Sequence, residues 1–157
     1  MVPEYALATD ASLIGWGAVL LELTSGRIYH ASGRWKKQYV SSDINVLEMT
    51  ALELGLKKLG GFLRSPTAPL RLHLDNDAAT AILAKSSAHE AKLNKAAIRV
   101  LRLLAGARPV TAVRIGSADN PADSLSRGGA PLGLSATRGV LGVADAGHAR
   151  PVVLPAA

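Results

Sequence analysis

An N-terminal hairpin signal followed by alternating helix and strand signals is what most limits the folds open to this chain. Tyr5 to Asp10 is short and apolar, a second apolar run extends from Gly15 to Leu23, and a Thr24-Ser25-Gly26 turn leads into Arg27-Ile28-Tyr29-His30-Ala31. Strand, Gly-containing turn, strand predicts a hairpin. The Gly15/Gly17 pair around Trp16 predicts a tight bend or a close backbone approach just after Asp10. Residues 34–42 (RWKKQYVSS) are polar and loop-like. From Asp43 to Leu59 the period becomes helical, with Ile44, Leu47, Ala51, Leu54 and Leu59 recurring on one side. Ser41 or Ser42 is placed to cap this helix, Asp43 suits its first turn, and Gly60-Gly61 ends it. Leu70-Arg71-Leu72-His73-Leu74-Asp75 alternates like a half-buried strand, and Asn76 or Asp77 can cap a helix over AATAILAKSS. A further helix over Ala91 to Leu104, a strand over Pro109 to Ile115 and a short helix opened by Asn120-Pro121-Ala122-Asp123 complete the pattern. A hairpin followed by such units predicts an α/β fold, a mixed sheet with helices on its faces. Residues 1–127 read as one domain, and the Gly-, Ala- and Pro-rich 128–157 as a flexible or loosely packed tail.

The length of 157 residues suits one domain with an ordinary core. Because aromatics are 4% of a chain that is 48% apolar, that core must be built from Ala, Leu, Val and Ile. Lys and Arg exceed Asp and Glu by 18 to 12, a net charge of +6 that favours polyanionic partners. The absence of cysteine excludes disulfides and thiolate metal sites. No apolar run reaches the roughly 18 residues of a membrane span. The segment MVPEYALATDAS lacks the basic start and apolar core of a signal peptide. A soluble intracellular domain is the expectation.

Against this basic background, Asp10, Glu48, Asp75 and Asp123 stand at the ends or starts of elements, two at strand ends and two on helices. Each has an ordinary explanation to be weighed. Asp10 ends a strand before a small-residue turn, where Asp is common. Asp75 ends a strand whose neighbours Asn76 and Asp77 are better placed to cap the next helix, and strand ends are where α/β sheets carry function. Asp123 would be the third residue of its helix, a position that favours acids through capping and the helix dipole. Glu48 has the poorest ordinary explanation. It falls within the stripe of Ile44, Leu47, Ala51 and Leu52, whereas Glu53 points to the opposite, solvated side. A carboxylate facing the core is costly unless paired, protonated or metal-bound. Together the four suggest a cluster for divalent metal.

The motifs around these residues resemble the ribonuclease H family, specifically the domain carried by retroelement reverse transcriptases of LTR or DIRS-like types. TDASLIGWGAVL is similar to the family's early Asp before a Gly-rich strand, and INVLEMTALELGL to its helical Glu. HLDNDAATAIL is similar to the third motif, and RIGSADNPADSLSR to the closing one. The resemblance covers Tyr5 to Arg127. It implies a ribonuclease H-like fold with a five-stranded mixed sheet flanked by helices, and Asp10, Glu48, Asp75 and Asp123 gathered at one end. There they would hold two Mg²⁺ (or Mn²⁺) ions and hydrolyse the RNA strand of RNA–DNA hybrids. Hard oxygen ligands suit such ions. Hybrid would be recognised through 2′-hydroxyls and duplex shape, with Lys36, Lys37, Asn76, Lys92, Lys95, Arg99 and Arg102 as candidates for nucleic-acid contact. A reverse transcriptase polymerase domain is the implied protein partner. The start of the chain close to its first strand fits an excised domain, a truncated copy or a separately encoded relic.

The chain departs from the family at several points. Many cellular members carry a mobile His before the last Asp, and Ile115-Gly116-Ser117-Ala118-Asp119 contains none; retroelement members often have H-I-P-G where this chain has Val113-Arg114-Ile115-Gly116. Neither His73 nor His89 can be given that role from sequence. The basic protrusion of some cellular enzymes is also missing. A catalytically weak or inactive hybrid-binding module, or an element relic, is therefore the second reading. An integrase- or transposase-like enzyme is a third, disfavoured because the helical Glu comes early.

Overall fold

The computed structural model describes residues 4–39, 42–85, 88, 90–142 and 149–154, so Ser41 and His89 lie outside the described residues. Its strands are β1 (Tyr5–Ala11), β2 (Gly15–Glu22), β3 (Ile28–Arg34), β4 (Leu70–Leu74), β5 (Val110–Arg114) and β6 (Arg150–Pro151). They form one sheet in the order β3-β2-β1-β4-β5-β6. The hairpins β1–β2 and β2–β3 are antiparallel, β4 and β5 join in parallel, and β6 returns antiparallel to β5. The mixed sheet expected from the hairpin-then-βα order is present, with a sixth strand beyond the five implied by resemblance.

Alternation along the strands sends side chains to two cores. Leu7, Leu20, Leu70 and Leu72 pack with α1 (Ile44–Leu59), α2 (Asp77–Lys85) and α3 (Ala91–Leu104) on one face. Ala6, Ala8, Val19 and Leu21 pack with α4 (Asp123–Ser126) and α5 (Leu134–Leu141) on the other, through Ala122, Leu125 and Leu141. The second core is small because alanines on β1 let short helices lie close to the sheet.

α1 departs from the single apolar stripe read from its period. It is buried on nearly all sides, from Val46 through Glu53, because the sheet covers one flank and α3 the other. Ile44, placed on the stripe by its spacing, is 42% exposed, while Glu53, expected in solvent, is 5% exposed. Glu53 accepts from Arg99 Nε of α3 at 2.9 Å and pairs with Lys57 Nζ at 3.0 Å. The buried carboxylate is thereby held by two cations.

The caps also differ in detail. Asp43 itself caps α1, accepting from Asn45 N at 2.8 Å. Asn76 accepts from Ala79 N at 2.8 Å and so satisfies a free donor at the start of α2. The short helix α4 begins at Asp123, not at Pro121. Asn120 instead turns the chain, accepting from Ala122 N and donating to Thr9 O of β1 at 3.1 Å.

Beyond residue 127, where composition predicted a flexible or loosely packed tail, α5 and β6 are formed. Thr137 and Leu141 of α5 and Val152 just after β6 are buried, and Arg71 of β4 donates to Leu141 O at 2.8 Å. So few buried positions are too sparse to give a detectable period.

α4 rests directly on β2 at Gly17. A Cβ there would stand 2.6 Å from Leu125 Cβ and 2.7 Å from Ala122 O, so the close backbone approach expected near Trp16 is real. Gly17→Ala must push α4 off the sheet. The expected cost is about 1–3 kcal/mol, read as a lower denaturant midpoint in equilibrium unfolding.

Candidate active site

Parallel pairing of β1 with β4 determines the site. Ala8 stands opposite His73. Two residues further along each strand, on the same face, come Asp10 and Asp75. Both lie at the C-terminal ends of adjacent parallel strands, the usual place for function in open α/β sheets. Glu48 reaches them from α1, and its Oε1 accepts from Ala11 N at 3.2 Å. Asp10, Glu48 and Asp75 each offer a carboxylate oxygen within 4.8 Å of the others. Asp10 and Glu48 are buried, at 3% and 7% exposure, while Asp75 is half-buried and forms the open side.

Three carboxylates this close cannot all be charged without compensation. Burial, and then the charges of Asp10 and Asp75, push Glu48 up to about 9 from an ordinary 4.5. Burial and the charge of Asp75 push Asp10 up to about 7 from 3.8, with a hydrogen bond from Ser126 opposing the rise. The cluster therefore has two ways to relieve repulsion, protons or a bound cation. Its all-oxygen donor set fits a hard divalent ion such as Mg²⁺ or Mn²⁺.

Asp123 is outside the group of three whose carboxylate oxygens all lie within 4.8 Å of one another. It is half-buried at the start of α4, pairs with Arg127 Nε at 3.5 Å, and adds by hydrogen bonding to the upward push on Asp10. It thus borders the cluster on Asp10's side.

Two residues at the site escaped the sequence reading. Ser126 is fully buried and donates from Oγ to Asp10 Oδ2 at 3.0 Å. Ser12 Oγ donates to Ser126 O at 2.6 Å, tying the β1–β2 turn to α4. The available signal was Ser126's position three residues after Asp123, which places the two on one side of a helical turn. Asn120, read as a helix cap, works instead as the tie between this segment and β1.

Among the candidates for nucleic-acid contact, Lys36, Lys37, Lys92, Lys95 and Arg102 are exposed. Arg99 is exposed as well but committed to Glu53. Asn76 beside Asp75 is occupied too, capping α2 and donating to Asn45 Oδ1 at 3.1 Å. His73 lies on the sheet face of Asp75, is buried, and has no hydrogen-bond partner for Nε2 among the described residues. Burial and the neighbouring Arg71 lower it to about 4, so it is neutral at neutral pH.

Two solved structures share this architecture. The N-terminal RNase H domain of Rv2228c from Mycobacterium tuberculosis, solved as a maltose-binding protein fusion, is 16% identical with a TM-score of 0.63, covering 80% of this chain and 98% of that one. RNase H1 from the halophilic archaeon Halobacterium salinarum NRC-1 is 18% identical with a TM-score of 0.57, covering 78% and 92%. At these identities the likeness establishes the fold. Among curated proteins no significant match is found. Residues 3–104 match the family model of the RNase H-like domain found in reverse transcriptase, a stretch that contains Asp10, Glu48 and Asp75 and stops short of Asp123. The chain belongs to the family of RNase H-like domains found in reverse transcriptases.

Proposed function

We propose that this protein is a metal-dependent endonuclease that hydrolyses the RNA strand of RNA–DNA hybrids, with Asp10, Glu48, Asp75 and Asp123 as its catalytic and metal-holding residues. The observation that carries this reading is the convergence of Asp10, Glu48 and Asp75 within 4.8 Å at the open end of the sheet. Mg²⁺ or Mn²⁺ bound there, two ions in the full reading, would supply water activation and stabilisation of the departing 3′ oxygen.

The chain's own residues prepare that chemistry. Ala11 N and Ser126 Oγ fix the carboxylates of Glu48 and Asp10 from opposite sides, so their orientation is set before substrate arrives. Asp75 faces solvent and is the carboxylate that an incoming phosphodiester would meet first. Asp123 would close the site beside Asp10. Exposed Lys36, Lys37, Lys92, Lys95 and Arg102 would hold the hybrid's phosphates. Discrimination of RNA from DNA would rest on 2′-hydroxyls and duplex width. Membership of a family found in reverse transcriptases makes a polymerase domain the fitting protein partner.

The test is incubation of the purified chain with end-labelled RNA–DNA hybrid and Mg²⁺ or Mn²⁺. Internal cuts in the RNA with the DNA strand intact are expected. Binding without cutting under both metals would favour the non-catalytic, hybrid-binding reading, and cutting of double-stranded DNA would favour an integrase-like enzyme.

A further inference from the structure

Next to the carboxylate cluster, on the α4 side of the sheet, is a cavity of about 170 Å³. Its walls come from three parts of the chain. The β1–β2 turn contributes Ile14, the end of edge strand β3 contributes Ser32 and Arg34, and α4 with the residue after it contributes Ser126 and Arg127. Ser126 links this cavity to the centre, because its buried hydroxyl donates to Asp10. The floor is backbone. Gly15 pairs with Arg34 across β2 and β3, and a Cβ on Gly15 would stand 2.5 Å from Gly33 O and 3.1 Å from Ser126 O.

The charge of the cavity is one-sided. Arg34 and Arg127 line it, and among its described lining residues none is acidic. Arg127 pairs with Asp123 at 3.5 Å. Arg34 makes no ion pair among the described residues. Two guanidinium groups lining one cavity suit a tetrahedral oxyanion, since Arg presents its donors as a planar fork. The exposed Ser32 hydroxyl adds a further donor. Ile14, 56% exposed at the rim, offers an apolar surface beside the anion.

We propose that this cavity is an anion subsite that takes a backbone phosphate of the bound nucleic-acid strand, away from the scissile position. Arg34 and Arg127 hold the phosphate oxygens, and Ile14 lies against the adjoining sugar. Arg34 leads directly into Trp35-Lys36-Lys37, so the subsite continues a basic track along the chain. The assignment rests on the nucleic-acid-cleaving reading of the neighbouring carboxylates, and it deepens that reading by fixing where the strand runs past them.

The experiment is fluorescence anisotropy of a labelled RNA–DNA hybrid with the full chain in EDTA, over a series of KCl concentrations. Arg34→Ala and Arg34→Lys are compared with Lys58→Ala, which removes one exposed charge at the far end of α1. Arg34→Ala is expected to weaken binding several-fold and to lower the slope of log affinity against log salt by about 1. Arg34→Lys should retain the slope, and Lys58→Ala should change neither quantity. Arg34 is exposed, so an unchanged melting temperature confirms that the variant folds. If Arg34→Ala behaves like Lys58→Ala, the subsite is overturned. Cleavage of the same hybrid by wild type in Mg²⁺ is scored separately. Cleavage with an unchanged Arg34→Ala slope sinks the subsite alone, and binding without cleavage but with the slope loss sinks the nuclease reading alone. A wild type that binds no hybrid sinks both.

Discussion

Asp75→Asn is expected to lower RNA-strand cleavage by about a thousandfold or more, equivalent to roughly 4 kcal/mol of barrier. The substitution keeps the shape of the side chain and removes its charge and one ligand oxygen from the cluster of Asp10, Glu48 and Asp75. Asp75 is the right residue to change because it is the least buried of the three, so its replacement leaves the packing of β4 intact. Its charge also contributes to the raised values of both Asp10 and Glu48. Removing it relaxes the metal-free protein even as it disables the site. Activity should therefore fall while the metal-free unfolding midpoint stays level or rises. A variant that cuts at the wild-type rate would show that this cluster is not where hydrolysis occurs. A variant that loses activity only because it unfolds would show that Asp75 serves the fold.

The residues that sequence made legible are those whose position follows from a single element. Strand periods gave Asp10 and Asp75, and the parallel register of β1 and β4 then sets them side by side. Glu48 stood out because an acid within one helix's apolar stripe has few inexpensive explanations. Glu53 could not be read the same way. Its burial comes from α3 packing on the far side of α1, and a helical period reports only one face at a time. Ser126 and Asn120 were equally hidden, since their partners are Asp10 and Thr9, more than a hundred residues away in sequence. Asn120-Pro121 carried a strong helix-start signal, yet Asn120 bonds across to β1, and tertiary contact overrides the local preference. α5 and β6 left no trace because each is held by one or two anchors rather than a repeating stripe. Asp123 remains the carboxylate that leans most on resemblance, bordering Asp10 but outside the tight group of three.

Metal-free stability should fall as pH rises from weakly acidic to alkaline, and divalent metal should cancel much of the fall. Asp10 rises from 3.8 to about 7 and Glu48 from 4.5 to about 9 on folding, burial being the largest cause for each. Between the ordinary and the raised value, the folded protein holds a proton that the unfolded chain has released. Stability then decreases with pH, because the folded state binds more protons than the unfolded one. Asp10's contribution is complete below 3.8 and lost as pH passes about 7, while Glu48's is complete below 4.5 and lost through about 9. The two groups interact, so the transition belongs to the cluster and not to either residue. Each held proton contributes a slope of at most about 1.4 kcal/mol per pH unit. The check is urea unfolding in EDTA at several pH values, for wild type and for Glu48→Gln, whose amide mimics the protonated acid. Below the ordinary value of 4.5 the two should be nearly equal in stability; above it the gap should open, and approaching pH 9 Glu48→Gln should be clearly the more stable. Adding Mg²⁺ should raise the wild-type midpoint more as pH increases, because a cation replaces the missing protons, and raise that of Glu48→Gln less. Parallel pH profiles for the two proteins in EDTA would mean that burial and the charges of Asp10 and Asp75 do not hold Glu48 protonated in the folded protein.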